Sequence, residues 1–186
     1  RLLRKKPAAE QELSRLYKAN EGSLAHATQL NGTKLLVTQV TADSFLKLYP
    51  FLPQHFNLVM ELLRALARST GGIGLRSAIK VIQDVLVDVS QYRPGEALLA
   101  DQPVGALAAA DSFFDTLRRD IERAQRPLHD TVMRFVDSVG KNDLKARIGK
   151  AVAVLQFIEG FPATRHNVAA LLHARIGDPP LFDAVS

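Results

Sequence analysis

The chain has no cysteine and no tryptophan among its 186 residues. Without cysteine there is no disulfide framework, no thiolate metal site and no cysteine nucleophile, and a reducing cytoplasm is the expected compartment. Aromatic residues make up only 6%, too few for the interleaved stacking platforms that hold single-stranded nucleic acid. No apolar run approaches the roughly 18 residues needed to cross a bilayer, because Lys, Asp or Gln interrupts the longest ones, so no membrane partner is expected. Alternating β-branched runs are nearly missing too. So are the signatures G-x-x-x-x-G-K-[ST], H-E-x-x-H and G-x-S-x-G and any paired metal-ligand spacing. An autonomous enzyme is therefore not expected, and the sequence assigns neither a catalytic residue nor a metal ligand.

What is present suffices for a core: 47% of the residues are hydrophobic. Lys and Arg number 24 against 19 Asp and Glu, a net charge of +5, and the isoelectric point is near 9.7. That balance permits contact with nucleic acid, nucleotide phosphates or an acidic partner and demands none of them. The chain opens on Arg1, and Arg1-Leu2-Leu3-Arg4-Lys5-Lys6 is too basic for a secretion signal. Excision from a longer chain is expected.

Apolar residues recur at three and four positions almost everywhere, which predicts an all-α protein. A first helix is expected over residues 8–30, with Leu13, Leu16, Tyr17, Leu24 and Ala27 as its apolar stripe and Asn31-Gly32 as its stop. Residues 34–40 read as a connector. Thr41 to Asp43 caps a short helix reaching Tyr49, and Pro50 and Pro53 separate it from a helix over 53–69 carrying Phe56, Val59, Met60, Leu63 and Leu66. After the glycine loop at 70–74, residues 75–90 repeat the pattern with Ile79, Ile82, Val85, Leu86 and Val89 as the expected core face. Residues 91–105 hold two prolines and two glycines and form the candidate boundary between subdomains 1–92 and 104–186. Further helices are expected near 107–124, 127–140, 143–158 and 164–176. The tight connection at 159–163 fits a helix-turn-helix or winged-helix core.

Of the five histidines, His26, His55, His129, His166 and His173, only His166 and His173 lie two turns apart on one expected helix; surface or capping positions are expected for all. The glycines at 71–74 suggest a phosphate cradle, but a helix precedes them where the dinucleotide fingerprint requires a strand. What remains is Gly74-Leu75-Arg76-Ser77. A cation in the first turn opposes the helix dipole, so Arg76 invites a phosphate, the plainer alternative being solvation or pairing with Asp84 or Glu61. Two clusters, Arg64, Arg68, Arg76 and Lys80, and Arg118, Arg119, Arg123 and Arg126, are candidate nucleic-acid faces. Asp115, Asp120 and Glu122 interleave the second, as on an ordinary solvated surface.

The block Tyr49-Pro50-Phe51-Leu52-Pro53, the helix after it, and Thr70-Gly71-Gly72-Ile73-Gly74-Leu75-Arg76-Ser77 leading into Ala78 to Leu86 resemble the lid region of the large P-loop ATPases of BREX phage-exclusion systems, the BrxC/PglY type. Gly74, Arg76 and the apolar residues behind them also look like the sensor-2 helix of AAA+ lids. Residues 1–17 and 146–172 resemble the flanking segments of the same family. The resemblance implies a helical lid-like subdomain over 1–92 and a helical, winged-helix-like subdomain over 104–186. It also implies nucleotide sensing by Arg76 with Gly74 and Ser77, in a cytoplasmic antiviral defence protein whose ATP and Mg²⁺ belong to the full-length molecule. The implied partners are an upstream P-loop core, neighbouring subunits, other defence proteins or DNA. The alternative is a helical DNA-binding or protein-interaction module, with the helices over 143–176 entering a major groove and Arg165 and Arg175 contacting DNA.

Overall fold

The computed structural model describes residues 3, 5–33, 39–70, 75–87, 97–141 and 143–185, apart from the side chains at 70 and 75–77. The described residues form nine α-helices, one 3-10 turn (Leu99–Asp101) and no strand, in agreement with the all-α expectation. Most of the expected connector at 34–40 lies outside the described residues.

α1 (Pro7–Thr28) starts on a proline whose missing N–H costs nothing in a first turn, and it buries Leu13, Tyr17, Leu24, Ala27 and Thr28 along one side. α2 (Ala42–Leu48) starts at Thr41, where a reciprocal cap with Ser44 satisfies both backbone amides. α3 (Pro53–Thr70) and α4 (Leu75–Val87) follow. α5 (Ala110–Thr116) and α6 (Arg118–Ala124) meet at Leu117. α7 (Arg126–Val139) ends at Gly140, whose φ of +96° suits a residue without Cβ. α8 (Leu144–Leu155) is capped by Asp143, which accepts from Lys145 N at 2.7 Å. α9 (Arg165–Leu172) is capped by Thr164.

Three expectations are corrected. The helix expected over 107–124 begins only at Ala110, because the amides of Leu107 and Ala108 donate to Ala174 O and Pro50 O at 2.8 and 2.9 Å. The helix expected to reach residue 176 stops at Leu172 for the matching reason: Ala174 O accepts from Leu107, and Ile176 N donates to Gly105 O at 2.8 Å. This short bridge pairs Ala106 with Arg175. Third, α4 buries Ala78, Val81 and Val85, with Ile82 and Leu86 partly covered, while Ile79 is 48% exposed. The small Ala78 lets the helix seat a narrow ridge at i, i+3 and i+7 in the core, and that phase turns Ile79 outward. Val89 lies outside the described residues.

The main core draws on α3 to α9, with Phe113 and Phe114 fully buried and Phe51 stacked on Phe113 at 6.5 Å between ring centroids. It contains Leu58, Leu62 and Val81 from the first stretch, 1–92, together with Ile121, Val154 and Leu171 from the second. A smaller cluster joins Leu13, Tyr17 and Leu24 of α1 to Phe45, Leu52, Leu107 and Ile176. Each fully buried Phe or Leu contributes about 1.5–3 kcal/mol relative to exposure, so these clusters are the main source of cohesion.

Candidate functional site

Gly74 lies outside the described residues. Arg76 and Ser77 stand in the first turn of α4, and their side chains are outside the description as well. The carboxylates named as alternative partners for Arg76 are taken up locally: Asp84 pairs with Lys80 and Glu61 with Arg64, each within its own helix. Such exposed pairs contribute little stability, and they leave the first basic cluster partly neutralised.

The second basic cluster resolves similarly. Arg123 lies 3.9 Å from Asp120, and Arg126 lies 3.7 Å from Asp130. Arg118 is held differently: its Nε donates to His129 Nε2 at 3.1 Å. His129 Nδ1, carrying the ring proton, donates to Asp130 at 2.9 Å. That hydrogen bond, more than the nearby arginines, pulls the Asp130 carboxyl below its ordinary value. The ring of His129 is buried and stacks on Phe114. An open cleft of about 550 Å³ borders this chain and is lined also by Arg134 and Asp137, so its charges balance.

His166 and His173 do not share a site. His166 donates to Gln29 O at 2.9 Å and stacks on Phe182 with centroids 4.3 Å apart. His173 follows the end of α9 and is buried. The expected surface or capping placement is corrected for His129, which packs inside the molecule; His55 and His173, also buried, do stand at helix caps, His55 at the start of α3 and His173 at the end of α9. Among the described residues no group of three His, Asp or Glu could hold a metal ion.

α9 buries every residue from Asn167 to Leu172, leaving no free face for a DNA groove; Arg165 and Arg175 are exposed at and beyond its ends. An apolar groove open to solvent lies instead between α2, α3 and α4. There Leu46, Leu48, Phe56, Ile79 and Ile82 line a groove of about 570 Å³. Lys5 crosses its rim and donates to Lys47 O at 3.0 Å, and burial pushes the Lys5 ammonium below its usual value.

A buried polar layer was not anticipated. Asp111 and Asp115 sit one turn apart on α5, and Arg147 and Lys150 sit three apart on α8. Arg147 grips Asp111 through Nε at 3.0 Å and Nη2 at 3.4 Å and also donates to Leu172 O at 3.1 Å. Lys150 meets Asp115 at 2.8 Å with both side chains only 4% exposed. Beside them His55 is fully buried, its basicity lowered to about 4 by burial first and by His173 second, with Asp111 acting against both. The signal was in the sequence: Asp111 and Asp115 recur at helical spacing inside Ala108-Ala109-Ala110-Asp111-Ser112-Phe113-Phe114-Asp115, in phase with the apolar face.

No helix among the described residues is long and apolar enough to cross a membrane. In comparison with known proteins, the chain matches no family model and no solved structure.

Proposed function

We propose that this chain is a helical lid and coupling region of an AAA+-type ATPase, of the kind found in BREX phage-exclusion systems, and that it senses nucleotide without hydrolysing it. The observation that supports this best is the position of Arg76 in the first turn of α4, whose apolar side, Ala78, Val81 and Val85, is seated in the main core. A guanidinium placed where the helix dipole disfavours it is stabilised by an approaching phosphate. Residues 1–92 then act as the lid-like subdomain, with Gly74 and Ser77 beside the sensing arginine. Residues 104–186 form the winged-helix-like part that receives its motion. The α4–α5 packing is the route between them, and the two α5–α8 ion pairs carry it onward within the second.

ATP and Mg²⁺ would be held by an upstream P-loop core. The described residues offer no metal-binding group, and no step of hydrolysis is assigned to them.

The test is Arg76→Ala in the full-length protein. Loss of a charge-assisted contact of about 1.5–3 kcal/mol weakens nucleotide binding or turnover by about tenfold or more. Unaltered ATP affinity and turnover would overturn the reading.

A second reading, a protein-interaction module, is favoured by the apolar groove beside Ile79. DNA binding through α9 is disfavoured by the burial of that helix. Binding that weakens steeply with salt and is lost on neutralising Arg165 or Arg175 would restore the DNA reading.

A further inference from the structure

His55 is the third residue of α3, behind Leu52 and Pro53. Its Nδ1 accepts the backbone amide hydrogen of Leu52 at 3.2 Å, in a fully buried setting. A backbone N–H can only donate, so Nδ1 must carry a lone pair and the single ring proton sits on Nε2. Among the described residues Nε2 meets no hydrogen-bond partner. Phe113 lies edge-on to the ring at 6.1 Å. The charged and titratable groups facing it are His173, just past α9, and Asp111 of α5, whose carboxylate is engaged by Arg147 of α8.

The cap lies two residues from Pro50, where backbone hydrogen bonds join three separate chain segments. Pro50 O accepts from Ala108 N at 2.9 Å, Ala174 O from Leu107 N, and Gly105 O from Ile176 N. The start of α3 thus holds the stretch 105–109, which in turn holds the exit of α9.

We propose that His55 is a proton-operated latch on the start of α3: neutral, its Nδ1 caps the helix; protonated, it must release Leu52 and loosen the junction of residues 49–52, 105–109 and 173–176. Protonation does more than bury a charge. It turns Nδ1 from acceptor into donor, so two N–H groups face each other across the old bond, and it places a cation beside His173. Asp111 offers partial compensation, but Arg147 already shares its carboxylate.

The sign follows from linkage. The folded ring, held down to about 4 by burial and His173, refuses a proton that the unfolded chain accepts near 6.5. The unfolded state therefore binds more protons between those values, so stability falls as pH drops through that window. Above it the latch is closed.

His55→Gln separates the latch from packing in general, because a glutamine carbonyl at the third helical position can accept the same cap amide and never takes a proton. The experiment is urea unfolding of the wild-type chain and H55Q from pH 7.5 to 4.5, with ¹⁵N shifts of the His55 ring. In the wild type the unfolding equilibrium constant gains up to about tenfold per pH unit from this one group, and in H55Q that gain disappears. The ring shows Nε2–H at pH 7 and stays neutral below pH 5, and the Leu52 amide shifts with it when it titrates. Equal pH dependence in both proteins, a proton on Nδ1 at pH 7, or ring titration near 6.5 overturns the proposal. Should H55Q not fold, the tautomer and titration of the wild-type ring decide it alone.

Discussion

Asn167 grips the backbone of Asn31 from both sides. Its Oδ1 accepts from Asn31 N and its Nδ2 donates to Asn31 O, both at 2.8 Å, while Nδ2 also donates to Pro162 O at 2.9 Å. The carboxamide imitates a strand partner and ties the chain leaving α1 to the start of α9, 136 residues later.

Asn167 is fully buried, so truncating it removes the partner of Asn31 N and Asn31 O and one of the two donors to Pro162 O, which keeps Thr164 N at 2.8 Å. Asn167→Ala is expected to cost about 2–4 kcal/mol, read as a lower urea midpoint. Asn167→Asp is expected to be similarly costly, because a carboxylate can accept from Asn31 N but cannot donate to Asn31 O or Pro162 O. A change under about 0.5 kcal/mol in either variant would mean that the contact does not hold the connection.

Lys150 and Asp115 form a pair removed from solvent. Removing one partner leaves an uncompensated buried charge, so Lys150→Met or Asp115→Leu alone is expected to cost about 3–5 kcal/mol. The double substitution is expected to cost clearly less than the two combined, since two apolar side chains can replace the pair. A double-mutant cycle measures this, and strict additivity would show that the two charges do not interact.

The phase of α4 predicts opposite outcomes at neighbouring positions. Val85→Ala removes buried methyls and is expected to cost about 2 kcal/mol. Ile79→Lys lies on the open side and is expected to change stability by no more than about 0.5 kcal/mol. If Ile79→Lys unfolds the chain, the helix is rotated from the position described above.

Gly149 of α8 lets α7 approach closely: a Cβ built there meets the Phe135 ring at 3.0–3.1 Å. Phe135 is 39% exposed. With Phe135 already cut to Ala, Gly149→Ala is expected to stabilise by up to about 1 kcal/mol through helix propensity. In the wild-type background the displaced ring opposes that gain. Equal effects in both backgrounds, measured by thermal or urea unfolding, would rule the steric account out.

Periodicity and punctuation made the helices readable. The proline and cap signals at Thr41, Pro53, Asp143 and Thr164 act within one turn of chain, so α2, α3, α8 and α9 begin within a residue or two of where they are expected, as does α1 from its apolar stripe. The ends of the helices at 110 and 172 were not readable, because residues 105–108 are drawn out of helix by partners at 50, 174 and 176. Arg76 was singled out from its local position and from family likeness. The His55 and Asp111 layer was passed over because no motif announces it; only its phase against the apolar face does.

By itself the sequence determined an all-helical chain with a substantial core, since spacing, caps and glycine stops are local properties of a few consecutive residues. Tertiary structure alone decided which side of α4 is buried, that α9 is enclosed, and that His55, Asp111, Arg147 and His173 stand together. Those outcomes depend on contacts between residues dozens of positions apart, where burial free energy and hydrogen-bond satisfaction override what any single segment prefers.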